Sequence, residues 1–235
     1  MNGREWVCIM NRKRQRGAVI VGVLAALTIA GCRQKTSEPN GAAFVRLINA
    51  VPDAGGLDVS VDGRRVWERS EFKSSTGYQS VASGTYPVKL DANGPGTTLL
   101  TGSLLFEKGR SYTLLALGSA EGVTPAQVQV LADEKPEHLE DGKASVRLIN
   151  ASSGAPPVDL VVNTIVGVKS IGYGRRSSPV ALAGGAYDLQ LASAGTEEIL
   201  AGPVHLTLIA GKSYTLIAMG RAGSQSLSLE AYPDR

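Results

Sequence analysis

The sequence predicts an all-β fold: two tandem antiparallel β-sandwich domains, of the immunoglobulin-like or transthyretin-like kind, behind an N-terminal leader. Three observations predict it. The chain repeats itself at an offset of 101 to 102 residues. Within each copy, apolar and polar residues alternate with a period of two, as half-buried strands require. Glycine is abundant, 28 of 235 residues, and sits between the alternating runs where tight turns need it.

The repeat is explicit. Val45-Arg46-Leu47-Ile48-Asn49-Ala50 returns as Val146-Arg147-Leu148-Ile149-Asn150-Ala151. Asp58, Gly84 and Tyr86 return as Asp159, Gly185 and Tyr187. Gly109-Arg110-Ser111-Tyr112-Thr113-Leu114 returns as Gly211-Lys212-Ser213-Tyr214-Thr215-Leu216. A period this long exceeds a solenoid unit, so each copy is expected to build its own core. The copies are placed at 44–132 and 144–235. The charged segment 133–143, Asp133 to Lys143, is the linker between them. It lacks the spacing of an ordered calcium loop, so its acids read as a solvated connection.

Each element follows from local pattern. Leu57, Val59 and Val61 alternate with Asp58, Ser60 and Asp62, and Tyr86, Val88 and Leu90 alternate with Pro87, Lys89 and Asp91. In the second copy Tyr187, Leu189 and Leu191 do the same. Asp62-Gly63 and Asn93-Gly94 are hairpin turns. The uniformly apolar stretches from Ser111 and from Ser213 are central strands, and Val128-Gln129-Val130 and Leu227-Ser228-Leu229 close the copies. About seven strands in about 100 residues fits a sandwich, with a small barrel as the alternative.

The leader has its own logic. Arg12, Lys13, Arg14 and Arg16 precede an uncharged, mostly aliphatic run from Ala18 to Ala30. That is a basic n-region followed by a short h-region, and the run is shorter than the roughly 20 residues a spanning helix needs. Ile29-Ala30-Gly31-Cys32 resembles the bacterial lipobox. The resemblance implies a lipoprotein signal peptide over 1–31, cleavage between Gly31 and Cys32, and acylation of Cys32. Two or three acyl chains anchor stably, since each buried CH₂ is worth about 0.8 kcal/mol. Translation starts at Met1 or Met10; the sequence leaves both open. Residues 32–43 form a polar tether containing Pro39 and Gly41. Arg33 after the cysteine favours the outer membrane, by similarity with enteric bacteria and where the host has one.

Composition removes several function classes. Of 24 basic residues five lie in 1–31, against one of 21 acidic residues, so the remainder holds 19 basic and 20 acidic residues. A nucleic-acid footprint is therefore not expected. The only cysteines are Cys8 and Cys32, which leaves no disulfide framework. His138 and His205 are the only histidines, and neither lies in a nucleophile motif or a metal-ligand spacing. No catalytic residue, metal or cofactor is expected beyond covalent lipid on Cys32.

The repeated polar residues read as architecture. Asn49 and Asn150 are positioned to satisfy loop backbone. Asp58 and Asp159 read as outward strand residues or turn acceptors, with Arg46 and Arg147 as their cross-sheet partners. The paired tyrosines Tyr86/Tyr187 and Tyr112/Tyr214 read as core with the hydroxyl tied to backbone. Trp67, Tyr78 and Tyr173 are unrepeated aromatics and are the expected surface platform for a glycan or other ligand.

The motifs also resemble a bacterial family catalogued as domain of unknown function number 4397. The carriers are Val45-Arg46, then Ala50-Val51-Pro52-Asp53-Ala54, then Leu57-Asp58-Val59, with Ser83-Gly84-Thr85-Tyr86 and Gly211-Lys212-Ser213-Tyr214-Thr215 later. The second copy departs from it, with Ser152-Ser153-Gly154-Ala155-Pro156-Pro157 in place of the Pro-Asp turn and Asn163-Thr164 in place of Asp-Gly. The resemblance implies an envelope or surface domain and no mechanism. The expectation is a membrane-anchored envelope lipoprotein, a non-catalytic binding or structural module. Its expected partners are the membrane and an envelope protein or glycan. A carbohydrate or surface-ligand binder and a hydrolase using His205 are the rivals.

Overall fold

The computed structural model describes residues 41–92, 97–120, 124–133, 139–221 and 226–235. The leader, Gly31, Cys32, the Asn93-Gly94 turn and His138 lie outside the described residues, as do most of the tether and residues 134–138 of the linker.

The first repeat forms β1 (Ala42–Ala50), β2 (Leu57–Val61), β3 (Arg64–Ser70), β4 (Gln79–Ala82), β5 (Gly84–Ala92), β6 (Thr97–Phe106), β7 (Ser111–Leu117) and β8 (Gln127–Ala132). The second forms β9 (Lys143–Asn150), β10 (Val158–Val162), β11 (Ile165–Ile171), β12 (Val180–Ala183), β13 (Gly185–Ser193), β14 (Ile199–Leu208), β15 (Ser213–Met219) and β16 (Ser228–Pro233). That is eight strands per copy among the described residues. The short edge strands β4 and β12 are too brief to show a period in the sequence. The first strand begins at Ala42, inside the stretch read as tether.

Each copy is a sandwich of two four-stranded sheets. The orders are β4-β1-β7-β8 over β3-β2-β5-β6, and β12-β9-β15-β16 over β11-β10-β13-β14. Lettered A to H in chain order, each copy reads D-A-G-H on C-B-E-F. This departs from the A-B-E-D and C-F-G order of an immunoglobulin constant domain. The pairs are antiparallel except β1 with β7 and β9 with β15, which run parallel.

Local chemistry sets the register. Asp62 and Gly63 both take positive φ, 52° and 71°, and join β2 to β3 as the two-residue turn that Asp-Gly favours. In the second copy Asn163 takes the left-handed position at φ 57°. Beyond each hairpin the pairing slips at a bulge, between Val59 and Ser60 and between Leu160 and Val161. The bulge turns Trp67 inward, opposite Val59.

Alternation sends side chains of the A–G strands to two faces. Inner residues Val45, Leu47, Leu114 and Ala116 join Leu57, Val59, Trp67, Leu90 and Phe106 in the first core. Val146, Leu148, Leu216 and Ala218 join Leu160, Leu189 and Leu191 in the second. The outer faces of these sheets are also buried, because they pack on each other. Ile48, Ala50, Leu115, Leu117 and Leu131 of the first copy meet Ile149, Ala151, Ile217, Met219 and Tyr232 of the second. Both copies have their own cores, as expected, and share a third between them. Each fully buried Leu or Ile there is worth about 1.5–3 kcal/mol.

Candidate functional site

The shared seam also holds a cluster of buried charge. On β1 the outward series runs Phe44, Arg46, Ile48, so the strand that supplies Ile48 to the apolar seam must place Arg46 beside it. Arg46 is 2% exposed. Its Nε donates to Thr113 Oγ1 at 2.8 Å, one nitrogen donates to the Pro233 carbonyl at 2.7 Å, and the other meets Asp234 Oδ1 at 2.5 Å. Arg147 does the same from β9: Nε to Thr215 Oγ1 at 2.8 Å, one nitrogen to the Ala132 carbonyl at 3.1 Å, the other to Asp133 Oδ1 at 2.5 Å.

The partners are exchanged between copies. Thr113 donates to Asp133, which follows its own copy's last strand, at 2.7 Å, yet Asp133 pairs with the Arg of the other copy. Thr215 donates to Asp234 at 2.9 and 3.0 Å, and Asp234 pairs with Arg46. Each carboxylate therefore bridges two repeats, and two positive and two negative groups neutralise one another inside the seam. Smaller links cross the seam to equivalent acceptors from different donors: Gln129 Nε2 donates to the Gly174 carbonyl at 2.9 Å, and Tyr232 Oη donates to the Lys73 carbonyl at 2.7 Å. Burial pushes the Asp234 carboxyl up from its ordinary value, against the pull of Arg147 and Arg46.

The expected pairing of Arg46 and Arg147 with Asp58 and Asp159 is corrected. Those aspartates lie on the outer face of the opposite sheet in each sandwich, a full core away. Asp58 Oδ1 accepts from the Arg69 amide at 2.8 Å and Asp159 Oδ1 from the Ser170 amide at 2.6 Å. Arg69 and Ser170 have φ 48° and 57°, so each recurrent aspartate secures a strained position in the third strand. Asp58 also lies 3.7 Å from Arg65.

Asn49 and Asn150 do what the sequence suggested. Their amides donate to the Ser70 and Ile171 carbonyls at 2.8 and 3.0 Å and accept from the Val51 and Ser152 amides at 2.9 and 3.0 Å. Tyr112 and Tyr214 are buried, and their hydroxyls accept from the Glu107 and Ile209 amides at 3.1 and 3.0 Å.

The three aromatics expected at the surface are not brought together there. Trp67 is 5% exposed and packs in the first core. Tyr78 stands over Arg46, with the guanidinium 4.7 Å from its ring centroid, and donates to Asp133 Oδ2 at 2.8 Å. Burial, then the Asp133 charge, hold its phenol well above the usual value. Tyr173 packs half-buried against the seam's apolar cluster, and burial raises its phenol too. His205 lies on a wet strand face, 77% exposed, bonded to the exposed Asp188. Among the described residues no group of three or more His, Cys, Asp or Glu is placed to hold a metal ion.

The two halves of the seam differ in one respect. At the positions of Phe44 and Tyr78 the second copy has Ser145 and Pro179. A cavity of about 110 Å³ opens there, lined by Arg147, Arg176, Asp234, Ser145, Ser177 and Pro179 among others.

Sequence reasoning missed Asp133 and Asp234 as partners of the arginines. The signal was present: they share the 101-residue offset of Arg46 and Arg147. Asp133 reads as linker in the sequence because charge surrounds it.

Comparison with known proteins gives a family and little else. The family model described as "Domain of unknown function (DUF4397)" matches residues 43–161 and 144–235. No curated protein matches. Two solved structures are similar over 79% of this chain. One is a leucine-rich repeat protein from Bacteroides thetaiotaomicron, at 16% identity, 26% of its own chain covered and a TM-score of 0.22. The other is a candidate cell adhesion protein from Bacteroides fragilis, at 11% identity, 85% covered and a TM-score of 0.19. The chain thus spans about a quarter of the first structure's length, and superpositions this loose carry no argument about fold or function.

Proposed function

The chain belongs to the family of domains of unknown function DUF4397, and from that premise we propose that it is a cell-envelope lipoprotein, a non-catalytic binding or structural module held at a membrane by lipid on Cys32. The observation that carries this is the order of features in 10–32: basic cluster, uncharged aliphatic run, then Ala30-Gly31-Cys32. Two acyl chains suffice for stable attachment. Among the described residues no helix is long and apolar enough to cross a membrane.

The module reading is supported by where the recurrent polar residues go. Arg46, Arg147, Thr113, Thr215, Asn49, Asn150, Asp58 and Asp159 are all committed to internal bonds. The outer membrane is the favoured site where the host has one, and the bilayer is the first partner. The glycan alternative loses its platform, since Trp67 is in the core and Tyr78 and Tyr173 are in the seam.

Metabolic labelling with palmitate tests the anchor. The wild-type chain is expected to take up label and to begin at Cys32, whereas Cys32→Ser takes up none and keeps residues 1–31. An unlabelled wild-type protein whose mass still includes the leader overturns the proposal.

A further inference from the structure

The first repeat shows what the cavity of the second lacks. Tyr78 precedes Gln79, which pairs with Val45, so its ring falls on the row of Arg46. Pro179 precedes Val180, which pairs with Val146, so it falls on the row of Arg147. The pyrrolidine is shorter than a phenol and bears no hydroxyl. Ser145, opposite Ala181, likewise stands where the first copy has the Phe44 ring. Two aromatic side chains have been replaced by small ones at the same end of the same seam.

What lines the vacated space is specific. Three of the five in-plane N–H groups of Arg147 serve Thr215, the Ala132 carbonyl and Asp133, and the side chain is nine-tenths buried. Its flat face is the counterpart of the Arg46 face that Tyr78 covers. Asp234 is 6% exposed at the side chain and lines the cavity. Its Oδ2 is the counterpart of the Asp133 oxygen that accepts from Tyr78. Among the described residues that Oδ2 holds one hydrogen bond, from Thr215 at 3.0 Å, with Arg147 at 3.8 Å. An acceptor with capacity left selects a donor hydroxyl. The volume, about 110 Å³, is near the roughly 150 Å³ cavity that admits benzene, and this one is open on one side.

We propose that this pocket receives a phenol group, its ring on the guanidinium face of Arg147 and its hydroxyl donating to Asp234. The group is a tyrosine side chain of another polypeptide or a free small phenol. The first repeat has closed the same pocket with its own Tyr78. The proposal does not depend on the lipid anchor.

The test is a titration of the purified full-length chain with p-cresol, read on the Arg147 Nε–H signal in ¹⁵N-arginine NMR. A saturable ring-current shift in about the millimolar range is expected for a fragment of this size. Toluene, without the hydroxyl, is expected to bind at least about tenfold more weakly, the loss of one hydrogen bond to a charged acceptor. Pro179→Tyr is expected to abolish the shift while retaining the fold, and Ser145→Phe gives a second block should that variant fail to fold. Acetyl-Gly-Tyr-Gly-amide separates the sources: binding at least as tight as p-cresol assigns a polypeptide tyrosine, and exclusion of the peptide assigns a free phenol. Equal binding of toluene, an undiminished p-cresol shift in a folded blocked variant, or no saturable shift at all overturns the proposal.

Discussion

Arg46 and Asp234 stand 188 residues apart in the chain and form a 2.5 Å ion pair inside the molecule. Arg147 and Asp133 form its counterpart at 2.5 Å. In both, the arginine comes from one repeat and the carboxylate follows the last strand of the other. A bead-on-a-string arrangement of two sandwiches has no use for such an exchange. Here the two central sheets face each other, and the pairs lie at one end of a ten-residue apolar seam.

Removing one partner leaves the other charged and buried. Arg46→Ala is expected to destabilise the protein by about 3–5 kcal/mol. The effect should couple to Asp234→Asn in a double-mutant cycle read by urea denaturation. Independent, additive effects of the two substitutions would show that the pair contributes nothing across the seam.

Tyr78 and Tyr232 set a limit on the alkaline side. Burial is the main cause of the raised phenol pKa in both, with Asp133 adding to it for Tyr78 and Glu230 for Tyr232. The folded values lie above the ordinary 10.0. In that case the folded state keeps protons that the unfolded state releases, so stability is full below about pH 10 and falls as pH rises beyond it. Absorbance at the phenolate band should show these tyrosines ionising only as the chain unfolds. In Tyr78→Phe the alkaline loss should become shallower. Free ionisation of all seven tyrosines near pH 10 with the fold intact would contradict it.

Asp91 acts at the acid end. Burial raises its carboxyl, but the hydrogen bonds from Lys89 at 2.9 Å and Thr98 at 2.7 Å outweigh burial and hold it below its ordinary value. A lowered folded pKa adds stability above about pH 4 that disappears as pH falls through the folded value. Carboxyl carbon NMR should place Asp91 below a free aspartate, and Lys89→Met should move it upward. An unchanged titration in that variant would remove Lys89 from the account.

Trp67 belongs to the core, so its loss should be felt as stability. Trp67→Ala is expected to cost about 3–5 kcal/mol, the usual range for emptying a buried aromatic site. Fluorescence of Trp67 should be blue-shifted and shielded from acrylamide; red-shifted, freely quenched emission would put the ring back at the surface.

The fold was legible because period and offset are properties of order along the chain. Leu57, Val59 and Val61 announce a strand, and the return of Val-Arg-Leu-Ile-Asn announces a second domain. The seam was not legible, because Ile48 and Leu115 look the same whether they face a sandwich core or a neighbouring sandwich. Trp67 misled for a related reason: Arg64, Arg65, Glu68 and Arg69 surround it with charge, and only the bulge opposite Val59 turns it inward. The cavity beside Arg147 escaped because it is defined by what Ser145 and Pro179 fail to fill.

The exchange of partners makes each repeat self-complementary, and that has a consequence for the repeats taken singly. The first repeat carries Arg46, Thr113 and Asp133 on one face, together with Ile48, Ala50, Leu115, Leu117 and Leu131. Asp133 occupies the position of Asp234, so a second copy of that face offers the same carboxylate to Arg46 that the second repeat does. A two-fold axis then generates both ion pairs from one, as an isologous interface requires. The isolated fragment 41–133 is therefore expected to sediment as a homodimer. Arg46→Asp should dissociate it by placing like charges together, and mixing that variant with Asp133→Arg should restore a heterodimer. A wild-type fragment that stays monomeric and soluble at high concentration would mean that the seam depends on contacts unique to the second repeat.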